Sequence, residues 1–495
     1  MTACACSERS KKVWIFGCGS FFLLAGMILA VVWSAVSVSI LHNQLVLKNG
    51  SQTYNNWIET PIPMYLEFYM FNWTNPDKIH NWETEKPHFV EMGPYVFTEK
   101  RKRVNIVWNN NGTVSFNQSR EWHFVPEMSN GTLDDKVTNL NLIPTTIAYT
   151  LRHQSVVVKM IVNFLFKEKG ARMTITRTVR ELLFDGYDDP ILDFVRKLNI
   201  SGFVIPFKKV GWFVERNQSA THDGHFSIFT GDDDMAKLGV MEHWNYVNHT
   251  QYYRDQCGAV TGTTGEIWPP LPADQSEVDI AMFTPDICRT ITLKYDRPVE
   301  KLGLSGNRWV ADERVLDNGW KYPPAACYCT ADPSACPDLL PGVLNVSSCQ
   351  FGAPAFMSFP HFYLADSSYS DAIAGLNASR EEHEFYMALQ PQTGIPLDIR
   401  GQLQLNLMMT PDEHFSIFEK VPKIFIPMLW FRQTANLTED LAKSAWWAVN
   451  LSDFGLYLAF GIVGLGGVLV IVGIVLTITK KWTCAPTNED EEPLQ

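Results

Sequence analysis

Apolar residues run without a charged side chain in two places, from Val13 to Leu41 and from Phe454 to Thr479. Crossing a bilayer's hydrocarbon core takes roughly 20 helical residues, whereas the apolar core of a cleaved signal peptide is about 7 to 15. The first run is therefore read as a retained anchor, although "SVS" at Ser37 to Ser39 offers small residues where a signal peptidase could cut. The second continues into "KKWTCAPTNEDEEPLQ", so it is no glycolipid-anchor signal, which would end in its apolar tail. Arg9, Lys11 and Lys12 precede the first run, and Lys480 and Lys481 follow the second. Basic residues stay on the cytosolic side, so both ends are predicted to be cytosolic. The expected organisation is a tail (1–12), a span (13–41), one external region (42–453), a second span (454–479) and a second tail (480–495).

Within the external region the period changes along the chain. "PLDIRGQLQLNLMM" alternates, with Leu397, Ile399, Leu403, Leu405 and Leu407 on one face; "RVNIVW", "MTIT" and "HFSIF" behave similarly, and all are predicted strands. "DDKVTNLNLIPTTIAYTLRHQSVVVKMIVNFLFKEKG" has helical texture, with Val157, Met160, Ile161, Phe164 and Leu165 at i, i+3, i+4 spacing. Lys159, Asn163 and Lys167 form its only polar stripe, so this helix is expected either to pack deeply or to offer apolar surface to a ligand. From Cys257 to Cys349 "WPPLP", "YPPAAC" and "DPSACP" show little periodicity, which predicts loops tied by cross-links. The residues alone thus give a mixed α and β region long enough for a large core.

Six of the ten cysteines, Cys257, Cys288, Cys327, Cys329, Cys336 and Cys349, lie in the external region. An even set in an oxidising compartment reads as three disulfides, with fifteen pairings open. A metal site on "CYC" is disfavoured because C-x-C lacks the spacing with which two thiolates grip one zinc ion. Cys4, Cys6 and Cys484 flank the spans at the expected inner face and are candidates for palmitoylation. Asn49, Asn72, Asn111, Asn117, Asn130, Asn199, Asn217, Asn248, Asn345, Asn377 and Asn436 begin glycosylation sequons between the spans. Asn450 begins one too, but too close to the second span to be an acceptor.

The two tails carry compensating charges, so the net −12 belongs to the external region. Nucleic acid is not an expected partner, and polyanion binding would need a local basic patch. No catalytic signature emerges: "GLSGN" lacks the last glycine of a nucleophile elbow, and "EEHEFYMA" puts Met387 where a second zinc ligand would stand. The acids of "TGDDDMAKLG" are consecutive, and neighbouring side chains cannot all face one calcium ion. The chain is therefore not expected to be an enzyme, and no cofactor or metal is implied.

Several stretches together resemble the class B scavenger receptor family: "FNWTNP" at Phe71, "EMGPYVF" at Glu91, "TVRELLFDGYDDP" at Thr178, "PDICRTI" at Pro285, "CYC" at Cys327, "FPHFYLAD" at Phe359, "LNASREEHEFYMALQPQTG" at Leu376 and "IPMLWF" at Ile426. "KKVWIFGCGSFF" and "SNGTLDD" are most similar to its croquemort-like members. The resemblance implies an α+β fold: a large antiparallel β-barrel-like ectodomain, an apical helical bundle at about 132–200, and an internal lipid tunnel. It implies pairings Cys257–Cys327, Cys288–Cys349 and Cys329–Cys336. It also implies ligands such as modified lipoproteins, fatty acids, and apoptotic-cell or microbial surfaces, caught by basic residues on the cap. Lys159, Lys167, Lys169 and Arg172 occupy that region here.

On this resemblance the expected function is uptake of anionic or oxidised lipids and particles, with lipid transfer through the tunnel and possible clustering or homo-oligomers. The expected location is the plasma membrane, because Gln495 stands where the acidic dileucine signal of lysosomal members has an aliphatic residue. Alternatives are an endosomal or lysosomal lipid receptor, a sensory neuron membrane protein delivering lipid-like odorants, and an adhesion receptor without lipid transport.

Overall fold

The computed structural model describes residues 8–193, 208–271, 277–329, 339–479 and 481–482. The chain forms two units, one of residues 1–45 with 443–495 and the other of residues 46–442.

The first unit is built on two long helices, α1 (Glu8–Leu45) and the carboxyl-terminal Glu439–Ile478. Apolar side chains surround both, as in a membrane span. They run antiparallel along a seven-residue series of small groups. A Cβ on Gly26 would lie 2.7 Å from Val463 Cγ2, and one on Gly19 2.8 Å from Val470 Cγ2, so only glycine permits this approach. Trp33 Nε1 donates to the carbonyls of Leu451 and Ser452 at 3.2 and 3.1 Å, and Lys12 Nζ lies 5.6 Å from the Trp482 ring centre.

Helices whose bounds lie within the described residues of the second unit include α2 (Gln52–Ile58), α3 (Leu142–Thr150), α4 (Val156–Glu168), α5 (Ser367–Asp371) and α6 (Arg380–His383). The carboxyl-terminal helix is then α7. The strands begin with β1 (Met64–Trp73), β2 (Phe89–Trp108), β3 (Thr113–Phe124), β4 (Lys136–Leu140) and β5 (Thr174–Thr178). Then come β6 (His225–Phe229), β7 (Met241–Trp244), β8 (Ile280–Thr284), β9 (Arg289–Lys301) and β10 (Leu304–Val310). The last are β11 (Val343–Asn345), β12 (Ala355–Ser358), β13 (Tyr386–Leu389), β14 (Pro396–Met409) and β15 (Ile424–Asn436).

Thirteen strands form one antiparallel sheet whose main path is β7-β6-β3-β2-β1-β15-β14-β13-β10-β9-β8, and β4 pairs β5 separately. The two edges approach through Thr263, which bridges Val240 before β7 and Met282 of β8, so the sheet is nearly closed. A barrel-like closure removes most of the free edge that an open sheet exposes.

Two expectations change. Residues 136–140, read as helical, form β4, because Asn139 Nδ2 bonds the carbonyls of Phe71 and Pro427 and fixes that segment on β1 and β15. The Cys257–Cys349 region, read as loops, contributes β8 to β11. On β14 Leu397, Leu403 and Leu407 are buried as expected and Ile399 and Leu405 half-buried, but Gln402, Gln404 and Asn406 on the other face are buried too, satisfied by Glu382, His361 and Ser358. The segment 354–384 covers that face.

Candidate functional site

Helix α4 is amphipathic in an inverted sense. Lys159, Val162, Asn163 and Phe166, at i, i+3, i+4 and i+7, face the body, while Val157, Met160, Ile161 and Phe164 are 57 to 66% exposed. Polar side chains face inward because the loop after β14 supplies their partners. Lys159 Nζ pairs with Asp412 Oδ2 at 2.7 Å, and Asn163 Oδ1 accepts from Ser416 N and Oγ, both at 3.0 Å. Phe166 packs on Phe415 between those ties. Burial alone would raise the Asp412 pKa, but the bonds from Lys159 and His414 outweigh it and hold the carboxyl below its ordinary value. A contiguous apolar patch on a helix end is rarely left exposed without an interaction to serve.

The four basic residues separate. Lys167, Lys169 and Arg172 are exposed around the carboxyl end of α4, where cations also complement the helix dipole. Lys159 does not join them: its side chain is 11% exposed and its charge is committed to Asp412, so it is a tie rather than part of a ligand patch.

Two cavities lie beside α3. One apolar cavity of about 20 Å³ lies among Met70, Leu140, Leu182, Tyr187, Trp212 and Met428, and another of about 20 Å³ among Thr145, Tyr149, Met408, Asp412 and Phe418. Each has room for about one water molecule.

Farther along the interior the inward positions of β2 and β3 are charged. Glu99, Arg101 and Arg103, alternate residues of β2, are buried with Arg120 of β3. Arg101 pairs with Glu99 and Glu266, Arg103 with Glu266, and Arg120 and Arg216 with Asp223 and Asp286. The lattice balances four guanidinium groups with four carboxylates. Arg103 is pushed down to about 9 by burial and by Arg101 and Arg120, whereas Asp286 is held far below its ordinary value because its arginines outweigh its burial. Sequence reading missed this lattice; its signal was the charged run "EKRKR", in which the inward Glu99, Arg101 and Arg103 alternate with the exposed Lys100 and Lys102.

The structure contains disulfides Cys257–Cys327 and Cys288–Cys349, and Cys329 is also disulfide-bonded. Cys336, Cys4, Cys6, Cys484 and Asn199 lie outside the described residues. Among the sequons, Asn49, Asn111, Asn130, Asn217, Asn248, Asn377 and Asn436 are exposed, and Asn72 and Asn117 half-buried. Asn345 is 8% exposed in β11 with its Oδ1 accepting from Ser347 N, so the fold has no room for a glycan there and its expected role is corrected. No sequon begins between residues 131 and 198, which leaves α4 outside the glycosylated stretches. Among the described residues, no cluster of three His, Cys, Asp or Glu side chains could hold a metal ion.

A family profile described as "CD36 family" matches residues 17–477. The chain is 36% identical to Protein peste of Drosophila melanogaster over 440 residues, covering 88% of this chain and 77% of that protein. It is 34% identical to scavenger receptor class B member 1 of Cricetulus griseus, covering 97% and 92%, and 30% identical to lysosome membrane protein 2 of Homo sapiens, covering 91% and 90%.

Proposed function

The chain belongs to the CD36 family of class B scavenger receptors, and on that premise we propose that it captures anionic or oxidised lipid surfaces through α4. The carrying observation is the inverted helix: apolar side chains outward, a basic rim beside them, and polar ties inward. Lipoproteins, apoptotic cells and microbes present many anionic head groups at once, so weak contacts multiply into retention. Each Lys or Arg near an anionic surface contributes about 1 kcal/mol, and the apolar row adds acyl contact. Lipids taken from such a surface would pass inward beside Met70 and Met428, where the cavity must widen to admit an acyl chain.

The antiparallel terminal helices support a two-pass protein with both ends on one side, and the flanking lysines favour the cytosol. The receptors among the relatives support a plasma-membrane reading, while the similarity to lysosome membrane protein 2 favours a lysosomal alternative. Grafting the carboxyl tail onto a surface reporter separates them: a lysosomal pool would defeat the surface assignment.

The function is tested by expressing the full chain in non-phagocytic cells and measuring uptake of phosphatidylserine-coated and oxidised-lipoprotein particles. Lys167→Glu, Lys169→Glu and Arg172→Glu, combined with Met160→Ser and Phe164→Ser, should abolish uptake at unchanged surface display. Undiminished uptake in this variant would overturn the assignment.

A further inference from the structure

The four guanidinium groups of the interior lattice each meet carboxylates, but Arg289, the first residue of β9, does not. It is 3% exposed, and among the described residues no Asp or Glu pairs with it. Its Nε donates to Thr290 O at 3.2 Å, and its Cζ lies 3.3 Å from the centre of the Tyr328 ring. Tyr328 in turn meets Tyr253 edge to face, and the Tyr253 hydroxyl is spent on Ile287 O. Nη1 is buried with no acceptor.

A ring face attracts a guanidinium, but less than water does, so a buried cation held mainly by aromatic contact is undercompensated. Burial accordingly holds the Arg289 pKa below its ordinary value, and the two tyrosines offset it only in part.

A second buried polar atom lies on the same face. Strand β8 pairs β9 with Thr284 directly opposite Arg289, and opposed side chains leave a sheet on one side. Thr284 Oγ1, like Arg289 Nη1, is buried without a hydrogen-bond partner. Buried polar atoms as a rule find one, and two neighbouring donors that share the lack call for one acceptor. Disulfides brace the surroundings: Cys288 adjoins Arg289, and the bonded Cys327 and Cys329 flank Tyr328. Thr284 and Tyr328 are only half-buried, which leaves a way in from solvent.

We propose that Arg289 Nη1 and Thr284 Oγ1 bind one small monovalent anion of the chloride type. Such an ion accepts from both donors and balances the single guanidinium charge, whereas water would satisfy the bonds and leave the charge unpaired. The site stands independently of lipid capture at α4.

Chloride replacing gluconate at constant ionic strength should raise the thermal midpoint of the purified full chain saturably, since a ligand that binds only the folded state stabilises it. Arg289→Gln should remove the saturable shift. Thr284→Val, which keeps the side chain's shape, should raise the half-saturating chloride concentration roughly tenfold through the loss of one hydrogen bond to a charged partner. No saturable shift in the unaltered chain, or the same half-saturating concentration in Thr284→Val, would overturn the proposal. Anomalous diffraction from bromide-soaked crystals of the unaltered protein reads the site without substitution: a peak within hydrogen-bond reach of Arg289 Nη1 supports it, and bromide bound only elsewhere refutes it.

Discussion

Removing the apolar row on α4 without disturbing the fold separates capture from structure. Met160 and Phe164 are 60 and 61% exposed, so Met160→Ser with Phe164→Ser leaves the inward residues Lys159, Val162, Asn163 and Phe166 untouched. Full burial of a Met or Phe side chain is worth about 1.5 to 3 kcal/mol. The exposed three-fifths of the pair therefore offers a lipid surface roughly 2 to 4 kcal/mol, or about 30- to 800-fold in single-site affinity. The buried remainder limits the cost to the fold to about 2 kcal/mol. The assay is flotation of the purified full chain with phosphatidylserine vesicles at low and high salt, beside its thermal midpoint. The serine pair should weaken flotation at both salt concentrations, because apolar contact is not screened. The Lys167, Lys169 and Arg172 reversals should weaken it chiefly at low salt, because exposed charges are screened within about 8 to 10 Å at 0.1 to 0.15 M. Flotation of the folded serine pair within twofold of the unaltered chain would refute the inverted helix as the capture surface.

Three further outcomes follow from buried groups. His383, stacked on His361 and accepting from Ser379 N, is pushed down to about 4 by burial and by its neighbour. The unfolded chain takes up that proton near pH 6.5, so stability is full above about 6.5, falls by at most about 1.4 kcal/mol per pH unit, and levels off near 4. In urea unfolding across that range His383→Gln should flatten the profile, and parallel profiles would exclude His383 as its source. Cys257→Ser with Cys327→Ser opens a link between residues 70 apart, which should cost roughly 4 kcal/mol in denaturant unfolding. Asn130→Gln and Asn248→Gln should each lower the glycosylated mass by one glycan, whereas Asn345→Gln should leave it unchanged; a mass loss there would contradict the burial of β11.

The elements legible in the sequence are those whose pattern is decided locally. Strand β14 coincides with the alternating stretch, and β5 and β6 lie where short alternation placed them, because a half-buried strand needs only period two. The covered polar face of β14 was not legible: nothing in "QLQLNL" states that residues 354–384 will lie across it and satisfy Gln402, Gln404 and Asn406. Similarly, β4 belongs to a stretch of helical texture, and only the reach of Asn139 to Phe71 and Pro427 makes it a strand.

The same limit governs the candidate site. A stripe of Lys159 and Asn163 on an otherwise apolar helix reads as its solvated face when the helix is considered alone. Asp412 and Ser416 invert that reading from 253 residues away, since a buried ammonium or amide is tolerable wherever a fixed partner meets it. Once those ties hold the polar face down, the valine, methionine, isoleucine and phenylalanine have only the outside left. The exposed patch is thus a consequence of two distant polar contacts, and the ties deserve the same experimental weight as the patch. Asp412→Asn keeps a hydrogen-bond acceptor for Lys159 but removes its counter-charge, leaving a buried cation underpaired. Breaking a buried pair in this way costs about 3 to 5 kcal/mol when nothing compensates, and the retained amide oxygen should reduce that. Hydrogen exchange in α4 should therefore rise in Asp412→Asn while exchange in β14 and β15 stays slow. Unchanged exchange in α4 would mean that Phe166 and Val162 alone hold the helix, and the inversion would then need another cause.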